Sequence, residues 1–254
     1  MTDMSDQHAP AAGVATATAQ EGPTTTGAPV NGDLLRPYLV PYLAYVGIAT
    51  LASDLPRVTD YALRIALTTG LLVFLWKRYQ PITGPRPVAQ SVMVGIGAGL
   101  VGVLLWIGLL IPFQDPAEGT AFTAPAFALR LAAASLVVPF IEELLFRGYI
   151  LGVVTQWEAA RRSGAKRPFS VALDARSVHD ITPGAWTWLA VGISSAVFAA
   201  GHAPIQWPAA FAYGLLMAWL WITRRDLIAP ITAHAVTNLV LYIYVYTTGS
   251  WGLW

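Results

Sequence analysis

Seven apolar runs follow residue 33, and they limit this chain more than any other feature. They cover roughly 36–53, 61–77, 88–111, 127–154, 186–203, 206–223 and 227–247. Crossing a bilayer takes about 20 apolar residues in a helix. Lipid offers no partner to free backbone groups, so each crossing segment must be helical. The expected fold is therefore all-α, a polytopic membrane bundle of about seven transmembrane helices. Composition agrees, since 11% of the 254 residues are charged whereas soluble domains run near about 25%.

Lysine and arginine orient the bundle. Loop 78–87 with its flank carries Lys77, Arg78 and Arg86; loop 155–185 carries Arg161, Arg162, Lys166, Arg167 and Arg176; the turn 224–226 carries Arg224 and Arg225. The alternate connections carry only Arg57. Cytoplasmic loops hold the positive excess, so these three loops and the N-terminus are read as cytoplasmic. With seven spans the C-terminus falls on the other side. Trp76, Trp186, Trp188, Trp207, Trp251 and Trp254 sit at predicted span ends, where amphipathic rings favour the headgroup zone.

Four regions follow. Residues 1–33 are rich in Ala, Thr, Gly and Pro and carry no Lys or Arg, a composition read as a disordered tail. The stretch lacks the basic and apolar regions of a signal peptide. Thr2 excludes myristoylation, and the SWGLW ending is no lipidation signal. Residues 34–124 form N-terminal transmembrane helices, 125–247 a second transmembrane domain and 248–254 a short C-terminal tail. The net charge of +1 argues against nucleic acid as a partner, and the absence of cysteine excludes disulfides, thiolate metal sites and a cysteine nucleophile.

Ionisable groups inside spans cost from about 2.5 kcal/mol upward, so each asks for a reason. Arg64 and Arg130 lie near span ends, within snorkelling reach. The rest are Glu142, Glu143 and Arg147 in the fourth span, His202 in the fifth, and His234 with Asn238 in the seventh. Glu143 and Arg147 are i,i+4 in the favourable order and read as an internal ion pair. Glu142 points about 140° away by helical periodicity, an unpaired carboxyl suited to taking and giving a proton. Pro139 is expected to kink the helix toward a cavity. His234 and Asn238 share one face. Singly, each His or Asn reads as packing glue; together, on three spans, the set reads as one convergent site. Their depths agree only if the fifth span ends inside the bilayer, with 203–208 buried in protein or lining water.

The series Glu142-Glu143-xxx-Arg147, Phe198-xxx-His202 and His234-xxx-Asn238 resembles the CPBP (CAAX protease and bacteriocin-processing) family of intramembrane proteases, the fold of the type II CAAX prenyl endopeptidase. The resemblance covers about residues 125–247. The tail and the long loop before Trp186 are also similar to the bacterial CAAX prenyl protease-related subgroup found alongside exosortase systems. It implies a multi-pass protein of the bacterial plasma membrane with a membrane-protein or lipid-anchored peptide substrate. Glu142 would be the general base, with His202 sharing its water. His234 and Asn238 would donate to the oxyanion, and Glu143 and Arg147 would orient the site. The first three spans would serve packing and substrate access.

With no cysteine, no indicated serine triad and no HExxH motif, peptide hydrolysis would need a carboxylate/His-activated or a metal-activated water. Glu142, His202 and His234 could hold Zn²⁺, since catalytic zinc takes three such ligands and leaves one position open. The family has been described both ways, and the Asn238 position favours the metal-free form. Cleavage near the cytoplasmic face is the first expectation. A transporter or proton relay using the same residues is the second, although no internal repeat is visible. A non-catalytic immunity or scaffold protein is the third. Oligomeric state is left open.

Overall fold

The computed structural model describes residues 29–51 and 53–253. The tail reading for residues 1–28 and the interfacial role of Trp254 lie outside the described residues. Among those described the chain is helical throughout and contains no strand. Its helices are α1 (Asn31–Leu51), α2 (Arg57–Leu75), α3 (Val88–Leu110), α4 (Ala124–Arg162), α5 (Pro168–Asp174), α6 (Trp188–Ala200), α7 (Trp207–Arg224) and α8 (Ile228–Thr248). Helix α1 begins inside the stretch read as tail, and its first residue, Asn31, is fully buried.

Among the described residues six helices are long and apolar enough to cross a membrane: α1, α2, α3, α4, α7 and α8. The chain is a multi-pass integral membrane protein. Its outer surface suits lipid, with Phe74, Val73, Leu104 and Leu136 largely exposed. The fifth expected span, 186–203, is a shorter apolar helix than the other six. Helix α6 has 13 residues, about 20 Å at 1.5 Å per residue, against a hydrocarbon core of about 30 Å. Thr187 caps its start by accepting from Ala190 N–H, and the chain breaks after Ala200 into a single turn, Pro204–Gln206.

The three basic loops interlock at one end of the bundle. Leu227 N–H donates to Ile82 O, His179 Nε2 lies 3.1 Å from Arg78 O, and Trp221 Nε1 donates to Ala185 O. Asn31 closes the same end: it donates to Gln156 and Ala172 O and accepts from Val178 N–H. Helix α5 and the segment 175–187 therefore form a floor beneath the helices. Arg64, expected to snorkel, is instead paired with Asp60 one turn earlier, its Nε at 2.8 Å and Nη2 at 2.5 Å from the carboxylate.

Helix α8 runs parallel to α3 in the most extensive pairing of the bundle. Small residues allow it. A Cβ on Gly99 would come within 2.7 Å of Ala233 O, and one on Gly102 within 2.5 Å of Thr237 Oγ1. Close backbone approach at small residues is a common way for membrane helices to associate. Asp226 pins the start of α8, accepting from Ala229 N–H and from Ser91 Oγ on α3. Together these contacts set the height and rotation at which α8 presents His234 and Asn238.

Gly97, two residues away, faces open space. Gly99→Val should therefore lower stability by about 1–3 kcal/mol through overpacking, while Gly97→Val should change it by less than about 0.5 kcal/mol. Thermal unfolding of both variants in one detergent reads the difference. Equal melting would contradict the close α3–α8 packing.

Candidate active site

The helix carrying Glu142 and Glu143 departs from regular α geometry on both sides of them. It widens into π-turns at Ala133–Val137 and Leu144–Ile150, flanking the α-helical stretch Val138–Glu143. Such π-turns occur frequently at functional sites. Pro139, expected to kink the helix, accounts for the first of them. Val138 N–H donates five residues back to Ala133 O. The next carbonyl, Ala134 O, lies five residues before Pro139, which has no N–H to give. Asn238 takes that place from α8, donating Nδ2–H at 2.8 Å. One amide hydrogen of Asn238 is thus committed to the backbone of α4, and its other is left for the cavity.

Glu143 is the centre of the buried network. Its carboxylate lies 3.2 Å from Arg147 Nε and 2.9 Å from His234 Nδ1. Both Glu143 and Arg147 are completely inaccessible, so the expected ion pair forms and is fully buried. Arg147 also donates to Gly214 O on α7 at 3.0 Å and lies over the Phe198 ring of α6. Glu143 carries a second function not visible in the i,i+4 spacing. As a carboxylate paired with Arg147 it can only accept, so His234 Nδ1 carries the proton between them. The Nε2 edge of His234 is then turned toward Glu142, whose Oε2 lies 3.8 Å away.

Glu142 lies on a different face, as its periodicity requires. Its side chain is 14% exposed, and its Oε2 is buried with no hydrogen-bond partner. His202 follows the end of α6. There Phe198 O accepts from both Gly201 N–H and His202 Nδ1, the latter at 3.0 Å. A carbonyl can only accept, so Nδ1 of His202 is protonated and Nε2 is its free edge. The shortness of α6 removes the depth conflict, because its end lies alongside Trp106 of α3 rather than at the far membrane face.

Glu142, His202, His234 and Asn238 line one cavity of about 190 Å³, roomy enough for several waters. Trp106 and Tyr213 complete its wall. Trp106 Nε1 is buried without a partner, and its ring lies 5.6 Å from that of His202. Trp106 is an apolar residue in an apolar span of the half expected to serve packing and substrate access, and nothing in its local sequence sets it apart. Glu143 and Arg147 lie behind the cavity rather than in its wall.

Residues 124–240 match the family model described as type II CAAX prenyl endopeptidase Rce1-like. Over these residues, a little under half of the chain, the protein is similar to the Rce1-like family. The matched segment runs from the start of α4 into α8 and contains Glu142, Glu143, Arg147, His202, His234 and Asn238. Helices α1, α2 and α3 fall outside it, so Trp106 joins the Rce1-like residues from beyond the match. No curated protein and no solved structure matches the chain.

The zinc set Glu142, His202 and His234 does not fit this geometry. Among the described residues no three His, Asp or Glu side chains are arranged to hold a metal ion.

Removing one partner of a buried ion pair strands the other charge. Arg147→Met should cost about 3–5 kcal/mol, whereas Glu142→Gln should stay within about 1 kcal/mol of wild type. Chemical denaturation in mixed micelles compares them. A larger loss for Glu142→Gln would contradict the division of the two glutamates.

Proposed function

We propose that this chain is an intramembrane endopeptidase in which Glu142 activates a water held in the cavity. One observation carries the reading: an unpartnered carboxylate oxygen in a cavity, 3.8 Å from a histidine whose far nitrogen is fixed by the Glu143–Arg147 pair. A carboxylate backed by an oriented imidazole is suited to general base work. The match of residues 124–240 to a family model of CAAX endopeptidases supports the same class of reaction.

The steps balance as hydrolysis. Glu142 takes a proton from the water while its oxygen bonds to the peptide carbonyl carbon. His202 accepts from the same water through its free Nε2. The oxyanion receives hydrogen bonds from the donors with no partner inside the protein, the second amide hydrogen of Asn238 and the indole N–H of Trp106. Glu142 then returns the proton to the departing nitrogen as the C–N bond breaks. His234 is reassigned from oxyanion donor to partner of Glu142, because its Nδ1 proton lies toward Glu143. Two preorganised donors aimed at developing charge supply a large part of such catalysis, on the order of 10²–10³ in rate for each.

Purified protein in liposomes, given membrane-anchored peptides, tests the reading. Glu142→Gln should lower the cleavage rate by about 10²–10⁴, and Trp106→Phe by about 10²–10³, both with folding intact. Rigorous metal removal should leave the rate unchanged. Cleavage by Glu142→Gln equal to that of wild type would remove the basis for a peptidase. The buried floor at the basic end gives a proton relay no second opening, so no observation favours the transporter reading.

A further inference from the structure

The cavity has an orientation of its own, independent of its chemistry. Its inner end is closed. Beneath Glu142 and His234 lie Glu143, Arg147 and Met217, each fully inaccessible, and below those Leu151, Leu227 and Val178, also fully inaccessible. The floor made by Asn31, α5 and the segment 175–187 seals what remains. All of this lies toward the end where the basic loops meet.

The other lining residues lie toward the opposite end. Tyr45 sits two turns before the end of α1, Arg130 in the second turn of α4, and Tyr242 near the end of α8. Gln206 lies in the turn between α6 and α7, and Leu253 beyond α8. Each belongs to the end of its helix farthest from the basic loops. His202 and Gln206 are both partly exposed there.

The rim is built from two segments that cross this end. Helix α8 stops at Gly249, whose φ of 72° is a left-handed conformation that favours glycine and turns the chain back. Trp251 then stacks on Phe122 with ring centres 6.0 Å apart, and Gly252 N–H donates to Pro116 O at 3.0 Å. Leu253, fully inaccessible, enters the cavity wall. The segment read as a short C-terminal tail thus packs at the rim.

Ten lysines and arginines mark the closed end, in the loops 78–87, 155–185 and 224–226 with their flanks. Only Arg57 occupies the connections at the mouth end, where it lies over Phe122 and donates to Ala121 O. Short loops rich in Lys and Arg stay in the cytoplasm. The closed end therefore faces the cytoplasm.

We infer that the cavity receives its substrate from the extracytoplasmic side, so that its substrates are membrane-associated polypeptides whose scissile bond lies at the outer face. This reverses the expectation of cleavage near the cytoplasmic face, and it rests on the peptidase reading for the word substrate. The sidedness rests only on charge placement and on the closed floor. Glu142 and His234 lie between that floor and the rim, so a strand entering past the partly exposed His202 and Gln206 reaches the carboxylate without crossing the basic end.

The chain contains no cysteine, which permits a clean test with single cysteines in the full-length protein. Ala117→Cys places a thiol on the rim, Gln206→Cys one in the cavity mouth, and Ser163→Cys one in the basic loop. Cells with an intact plasma membrane are treated with a membrane-impermeant maleimide, before and after permeabilisation. Ala117→Cys and Gln206→Cys should label in intact cells at least tenfold faster than Ser163→Cys, which should label only after permeabilisation. The opposite pattern would overturn the proposal, as would labelling of Ala117→Cys without Gln206→Cys. Because labelling needs no turnover, a chain that labels as expected yet cleaves nothing would refute the peptidase reading and leave the sidedness standing.

Discussion

One carboxylate, Glu143, holds the functional half of this bundle together. It joins Arg147 one turn along its own helix to His234 on α8, in complete isolation from solvent. Arg147 extends the connection to Gly214 O on α7 and to the Phe198 ring on α6. Four helices are therefore referred to a single buried charge. An unpaired charge at that depth would cost several kcal/mol, so the arrangement is stable only when every member is present. That constraint fixes His234 in one orientation and leaves Glu142, the adjacent residue, directed into the cavity.

Two irregularities then bring the remaining groups to the same level. The π-turn before Pro139 leaves Ala134 O without a backbone donor, and Asn238 meets that need from α8. A regular helix would have satisfied the carbonyl internally and left Asn238 no anchor there. Helix α6 is short, and Phe198 O near its end accepts from His202 Nδ1. A full-length span would have carried His202 toward the opposite membrane face. The packing of α3 on α8 through Gly99 and Gly102 sets α8 at the height where these contacts meet, and it brings Trp106 to the cavity wall.

Much of this could be read from the residues. Apolar runs gave the spans, and the lysines and arginines grouped three loops that the structure brings together at one end. The i,i+4 spacing of Glu143 and Arg147 gave their ion pair, and the same periodicity separated Glu142 from them. What could not be read was tertiary. Nothing in the local sequence ties Glu143 to a histidine 91 residues away. Trp106 resembles any other apolar residue of a span, and its unpartnered N–H has meaning only once His202 lies beside it. Segment 249–253 reads as a tail, because its ties to Pro116 and Phe122 cross from one loop to another. Arg64 needs no tertiary information: Asp60 lies one turn earlier on the same helix, and the two pair at i,i+4 spacing.

The central claim is that Glu143 fixes the proton of His234 on Nδ1, so that Nε2 faces Glu142. Nitrogen-15 NMR of the protein labelled only at histidine tests it directly, since the chain has four histidines. The arrangement predicts a protonated, hydrogen-bonded Nδ1 for His234, with a resonance that shifts in Glu143→Gln. A His234 ring with a bare Nδ1 in the wild-type protein would contradict it.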